Sequence, residues 1–225
     1  GVLWGEKGAD SDIFSFKDSR LRRLTRGGRF FNPTPCGEDI LVSEYPACGG
    51  TRLRLLDSGK TFPMPDGMQV VQSVAHPDSK IFYSAISDKG FGIYELQSGN
   101  AVFGPVMSKI KDLTAGPDGA VLFVCDRTGL DQAYLLSAGG TVRQLTSSAR
   151  GAGSPNFSGD SLYVTELHSA GRFIVAAEPQ ADSVQEPGPC WPALSHGNAN
   201  VKAVPRKTYE VRPYSKIAHA LRVHS

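Results

Sequence analysis

Four polar residues recur at almost constant spacing and are the first candidates for a functional site. They are Asn32, Gln72, Asp112 and Ser154, and successive members lie 40, 40 and 42 residues apart. Amide, carboxylate and hydroxyl groups gathered in one place can bind a small ligand, an ion or the end of a peptide. The other interpretation, which we favour on sequence grounds, is that these side chains bond only backbone groups or water.

The sequence carries no recognisable catalytic or metal-binding motif. A nucleophile elbow needs G-x-S-x-G, which is absent, and the stretch GAGSPNFSGD around Ser154 and Ser158 is interpreted as a turn. Asp126 and Asp131 do not have the spacing of a calcium loop. None of the histidines has metalloprotease spacing: they are His76, His168, His196, His219 and His224. We therefore predict no catalytic residue, no cofactor and no metal ion.

Composition limits the classes of partner. The chain has 225 residues, a net charge of +2 and 40% hydrophobic residues, which is typical of a globular protein without nucleic-acid affinity. No apolar run is long enough for a transmembrane helix, and no signal peptide is visible. The abrupt start inside an apparent strand suggests an excised domain. A cluster of arginines is interpreted as a solvated strand face: Arg20, Arg22, Arg23, Arg26 and Arg29.

The cysteines leave one question open. The four are Cys36, Cys48, Cys125 and Cys190, without a C-x-x-C pair. Cys125 lies in the apolar run VLFVC and is expected to be a buried strand residue. Cys36 and Cys48 could meet across a hairpin, so a disulfide between them is one alternative and two free thiols the other.

These residues lie within a repeat of about 40 residues. Apolar runs begin after turn residues at Ile40, Ile81, Val121 and Leu162, and second runs follow at Leu53, Ile93, Ala133 and Phe173. The opening segment fits the same pattern, with runs at Val2 and Ile13. Short runs rich in Val, Ile, Phe, Tyr and Leu, bounded by Gly, Pro, Asp and Ser, indicate β-strands.

A 40-residue period with four strands per unit predicts an all-β fold, a β-propeller of stacked blades. The blades are expected near 1–29, 30–67, 68–107, 108–147 and 148–187, followed by a tail over 188–225. The innermost strand of each blade lines the central channel, so the four polar residues would surround one channel mouth.

The first segment begins at what should be its second strand. We expect the tail to supply the missing innermost strand, with candidates at Val201 and Tyr209, which gives five blades. Six blades, or an arc of a larger ring, are the alternatives.

The fourth repeat resembles a repeat of TolB-type propellers. The resemblance lies in Pro117-Asp118-Gly119, Asp126-Arg127-Thr128-Gly129, Tyr134, Gly139-Gly140 and Arg143-Gln144-Leu145-Thr146. It extends over roughly residues 2–187, although the second and fifth repeats have lost parts of the motif. The tail, through Tyr214, His219, His224 and Ser225, resembles the junction between a TolB-like propeller and an outer-membrane β-barrel in Bacteroidetes-type proteins.

The resemblance implies a non-catalytic module in the periplasm or at the outer membrane, beside such a barrel, that binds a protein or a small, carbohydrate-like ligand. Two enzymatic alternatives remain. One is the substrate-screening propeller of a prolyl-oligopeptidase-like hydrolase. The other is a propeller lyase or glycosidase with axial catalytic residues, for which replacement of Asp112 should abolish turnover. The sequence does not indicate an oligomeric state.

Overall fold

The computed structural model describes residues 2–7, 10–47, 49–78 and 80–179, with only the backbone for residues 2–7 and Asp10. Within these residues, 18 β-strands form five antiparallel sheets. Each sheet is built from consecutive strands of one sequence segment, so neighbours in the chain are neighbours in the sheet.

The first three sheets follow the chain in order. The first contains β1 (Val2–Lys7), β2 (Asp10–Lys17) and β3 (Arg20–Arg23). The second contains β4 (Phe30–Cys36), β5 (Asp39–Glu44), β6 (Arg52–Leu55) and β7 (Thr61–Pro63). The third contains β8 (Gln69–Ala75), β9 (Ile81–Ser87), β10 (Gly90–Glu95) and β11 (Ala101–Val106).

The last two sheets complete the described part of the chain. The fourth contains β12 (Ile110–Ala115), β13 (Val121–Cys125), β14 (Gln132–Leu136) and β15 (Val142–Gln144). The fifth contains β16 (Gly153–Ser158), β17 (Ser161–His168) and β18 (Gly171–Ala177). A 3-10 turn over Pro117–Gly119 precedes β13, and no helix in the described ranges could span a membrane.

Apolar clusters join each sheet to the next. Ile13 packs with Phe30 and Val42 between the first and second sheets. A second cluster, with Leu41, Leu53 and Val70, joins the second sheet to the third. A third, with Ile93, Ile110 and Phe123, joins the third sheet to the fourth. A fourth, with Leu122, Ala133 and Leu162, joins the fourth sheet to the fifth. Because a single sheet cannot bury both of its faces alone, this stacking is what stabilises the repeat.

The predicted all-β propeller is confirmed as the fold class. The number of blades in a complete ring remains a prediction, as do the blade boundaries. The tail over 188–225, with Val201 and Tyr209, lies outside the described residues.

The cysteines and the basic cluster can be placed in part. Cys125 is fully buried at the end of β13, and desolvation raises the pKa of its thiol to about 11. Cys36 is a free thiol in this structure, while Cys48 and Cys190 lie outside the described residues. All four residues of β3 are exposed, so its arginines lie on an open surface.

Candidate functional site

The four predicted site residues all lie at β-bulges. They belong to β4, β8, β12 and β16, and the first strands of consecutive sheets contact one another, as strands near a propeller axis do. Each strand has a register shift at this place: between Phe31 and Thr34, Val70 and Gln72, Lys111 and Thr114, and Gly153 and Asn156. A bulge inserts an extra residue and redirects its side chain away from the sheet.

Three of the four adopt a left-handed backbone conformation. The φ angles are 49° for Asn32, 53° for Asp112 and 46° for Ser154. This conformation costs a residue with a side chain roughly 1–2 kcal/mol, and Asn and Asp tolerate it best because their short polar side chains bond locally. These three make up half of the six non-glycine residues with positive φ in the described part of the chain, so the inner-strand bulges are one of its strained regions.

The side chains of this group connect neighbouring sheets. Asn32 Nδ2 donates to the carbonyl of Val71 at 2.7 Å. Gln72 accepts from the amide of Leu113 at 3.0 Å and donates to the carbonyl of Leu113 at 3.3 Å.

Asp112 and Ser154 form the last of these connections. Asp112 Oδ2 accepts from the backbone amide of Ser154 at 2.9 Å and lies 3.4 Å from the Ser154 hydroxyl oxygen. The structure therefore arranges the four residues as a series of hydrogen bonds between blades, which supports the backbone-bonding interpretation. Ligand binding by the group remains a prediction.

A polar pocket of about 150 Å³ lies beside Asp112, between the fourth and fifth sheets. Its lining contains three cations, two carboxylates and two glycines, together with a threonine, a leucine and an alanine: Lys111, Asp112, Asp131, Arg150, Gly151, Ala152, Gly153, Thr165, Leu167 and Arg172. Mixed charge around a concave surface suits a polar ligand with both donors and acceptors.

Hydrogen bonds fix the side of this pocket that contains Lys111 and Asp131. Lys111 Nζ lies 2.5 Å from Asp131 Oδ2, and the Asp131 carbonyl accepts from the amide of Ala152 at 2.7 Å. On β17, between the lining residues Thr165 and Leu167, Glu166 accepts a hydrogen bond from the Ser148 side chain. This bond lowers the pKa of the Glu166 carboxyl, and His168 and Arg150 lower it further.

A second concave region lies at the inner strand of the second sheet, with a volume of about 480 Å³. Its described lining is Arg29, Phe31, Asn32 and Tyr45. The rings of Phe31 and Tyr45 meet edge to face at 5.0 Å, and the Tyr45 hydroxyl donates to the carbonyl of Val70 at 2.7 Å. Burial raises the pKa of Tyr45, so its hydroxyl remains a donor.

Sequence reasoning missed most residues of the polar pocket. Lys111, Arg150 and Arg172 come from three separate segments, and no local motif links them. One signal was present: Gly153 occupies the position next to the polar residue where the other inner strands carry Phe31, Val71 and Lys111. Within the described residues no group of three or more His, Cys, Asp or Glu side chains could hold a metal ion.

Comparison with known proteins gives matches in structure only. The sequence matches no protein-family model and no curated protein sequence. A TolB-like protein from Agrobacterium tumefaciens superimposes with a TM-score of 0.56 over 81% of this chain and 80% of its own, at 17% identity. TolB from Acinetobacter baumannii gives 0.50 over 76% and 49%, also at 17% identity.

The fold is a TolB-like β-propeller. A further match of the same kind is the extracellular domain of a protein assigned to a hybrid two-component system in B. thetaiotaomicron, with a TM-score of 0.55 over 81% of this chain at 10% identity. The chain spans a quarter of the length of that structure and about half of the Acinetobacter TolB. At these sequence identities, the similarity to TolB structures establishes the fold only.

Proposed function

We propose that this chain is a non-catalytic binding module of the TolB-like propeller type, acting in the periplasm or on the outer side of the cell envelope. Two kinds of support favour the location: the resemblance of its repeats to TolB-type propellers and the similarity to an extracellular domain. The partner is a protein or a small polar ligand of carbohydrate-like character.

The observation that carries the proposal is the polar pocket at the axial end of the fourth and fifth sheets. Rigid inner strands, bonded to each other through Asp112 and the Ser154 amide, form one side of it. Side chains from separate segments supply its charges. A rigid scaffold that presents variable polar groups in a concave site is the usual design of a binding domain.

The hydrogen bonding of Asp112 favours binding over catalysis. Its Oδ2 accepts from a backbone amide of the next blade, which is a structural use of the carboxylate. A lyase or glycosidase would instead need this carboxylate to exchange a proton with the substrate. The hydrolase alternative places the catalytic residues in a separate domain. Sequence downstream of this chain would distinguish that case, through a G-x-S-x-G motif, from an adjacent β-barrel, through alternating strands of about ten residues.

A paired binding and turnover screen tests the proposal. Ligand-observed NMR with a library of small acids, sugars and short peptides should reveal at least one saturable ligand of the purified chain. The same ligands should remain chemically unchanged after prolonged incubation, because a non-catalytic module binds its ligand without transforming it. Consumption of a library member that Asp112→Ala abolishes would establish the lyase or glycosidase alternative and contradict the proposal, as would a library without any ligand.

A further inference from the structure

Gly153 leaves part of the polar pocket's wall without a side chain. A Cβ atom built on Gly153 would lie 3.0 Å from Thr165 Oγ1 and 3.5 Å from Asp112 Oδ2. Any side chain at this position would therefore occupy the space between those two polar groups. At the same spacing in the sequence the other inner strands carry Phe31, Val71 and Lys111, so among these four positions only Gly153 lacks a side chain.

The charges around the opening favour an anionic group. Lys111, Arg150 and Arg172 line the pocket against the carboxylates Asp112 and Asp131, which leaves one excess positive charge. Both carboxylates already have partners, since Asp131 is paired with Lys111 and Asp112 accepts from the Ser154 amide. Arg172 is exposed at the rim, where its planar group can bind a carboxylate through two hydrogen bonds.

The size of the pocket limits how much of a ligand can enter. A volume of about 150 Å³ is below the ~300–1,000 Å³ of sites that enclose a drug-sized ligand. That space accommodates a carboxylate, the neighbouring carbon and one substituent on it. The rest of a larger ligand would leave the pocket beside Leu167, whose side chain is 61% exposed and offers an apolar surface.

We propose that this pocket binds the carboxylate end of a small ligand that has a hydrogen-bond donor on the adjacent carbon. Arg172 and Arg150 bind the carboxylate, and Asp112 Oδ1, the oxygen that does not bond Ser154, accepts from the donor. The ligand is either a free hydroxy or amino acid or the last residue of a peptide, since both have this chemistry. The inference deepens the proposed binding function and rests on it.

An NMR titration of the ¹⁵N-labelled chain with three probes tests the inference and distinguishes the sources. The probes are L-lactate, trialanine with a free carboxylate and trialanine with a C-terminal amide. The Gly151 and Gly153 amide resonances should shift saturably with L-lactate, with trialanine that has a free carboxylate, or with both. Tighter binding of lactate indicates a free acid, and tighter binding of trialanine indicates a peptide end. The inference is overturned if neither carboxylate shifts these resonances, or if the peptide amide shifts them equally.

Two pairs of variants add a second readout. Gly153→Ala should weaken saturable binding by placing a methyl group between Thr165 and Asp112, whereas Gly139→Ala, whose Cβ would meet only Ser137 Oγ at 3.8 Å, should leave it unchanged. Arg172→Gln should weaken binding about tenfold or more through loss of charged hydrogen bonds. The exposed Arg22→Gln should have no effect. Unchanged affinity in Arg172→Gln would overturn the inference even if Gly153→Ala failed to fold.

The two proposals fail in different ways. If neither L-lactate nor trialanine with a free carboxylate binds in the titration, while another library member binds without turnover, the carboxylate inference is wrong and the binding function stands. If the library yields turnover instead of binding, the binding function itself is wrong.

Discussion

His76 illustrates how a single buried residue makes this fold sensitive to pH. It directly follows β8, is 5% exposed and packs edge to face against Phe82 at 5.6 Å. Its Nε2 has no hydrogen-bond partner among the described residues. Desolvation lowers the pKa of His76, while nearby Asp78 raises it and Lys80 lowers it further. The folded chain therefore holds this imidazole neutral.

We expect the free energy of unfolding to fall with acidification near neutral pH because of His76. An unfolded histidine takes up a proton below about pH 6.5, whereas the buried one resists protonation to lower pH. The stability it provides is thus complete above about pH 6.5 and is lost as the pH falls from there through the folded pKa. Urea unfolding from pH 8 to pH 5 should show this slope in the native chain and a shallower slope in His76→Phe.

The matched control for this titration is His168→Gln. His168 is partly exposed and lies 3.2 Å from Glu166 on β17, so its replacement leaves the buried imidazole in place. The interpretation is wrong if native chain and His76→Phe lose stability in parallel over the whole range.

Among the elements, the inner strands determine how the blades are joined. Their bulges place Asn32, Gln72 and Asp112 where each side chain reaches the backbone of the next sheet. The spacing of the polar residues in the sequence indicated these positions because the inner strand recurs at the same place in every repeat. Their hydrogen-bond partners could not be predicted, since these lie in the next blade, 39 to 42 residues further along the chain.

Substitutions at Asp112 should separate hydrogen bonding from backbone strain. Asp112→Gly loses the bond to the Ser154 amide but accepts the φ of 53° without strain. Asp112→Ala loses the same bond and keeps the strain, so it should be less stable than the glycine variant by about 1 kcal/mol. Chemical denaturation of the two variants measures the difference.

Gln72 provides the matched control, since it is not among the residues with positive φ. There the order should reverse, with Gln72→Gly less stable than Gln72→Ala by about 0.5–1 kcal/mol, because glycine weakens an ordinary strand. The same order at both sites would contradict the assignment of strain to the Asp112 bulge.

At the scale of the whole molecule, the fold could be predicted and the polar pocket could not. The apolar runs recur every 40 residues because each blade must cover its neighbour, and this requirement is visible in runs such as that of β13, whose residues are all buried. The pocket depends instead on a missing side chain at Gly153 and on cations from separate segments. Only their position in space brings them together.

Amide hydrogen exchange at two residues tests the stacking of successive blades most directly. The amides of Leu113 and Ser154 donate to Gln72 and Asp112 of the preceding sheet at 3.0 and 2.9 Å. Both should be protected in the native chain. The core amide of Val124 serves as the reference. Gln72→Ala should accelerate exchange of the Leu113 amide by at least about fivefold, and Asp112→Gly should accelerate exchange of the Ser154 amide by the same factor. Exchange of both amides at unprotected rates in the native chain would contradict the account.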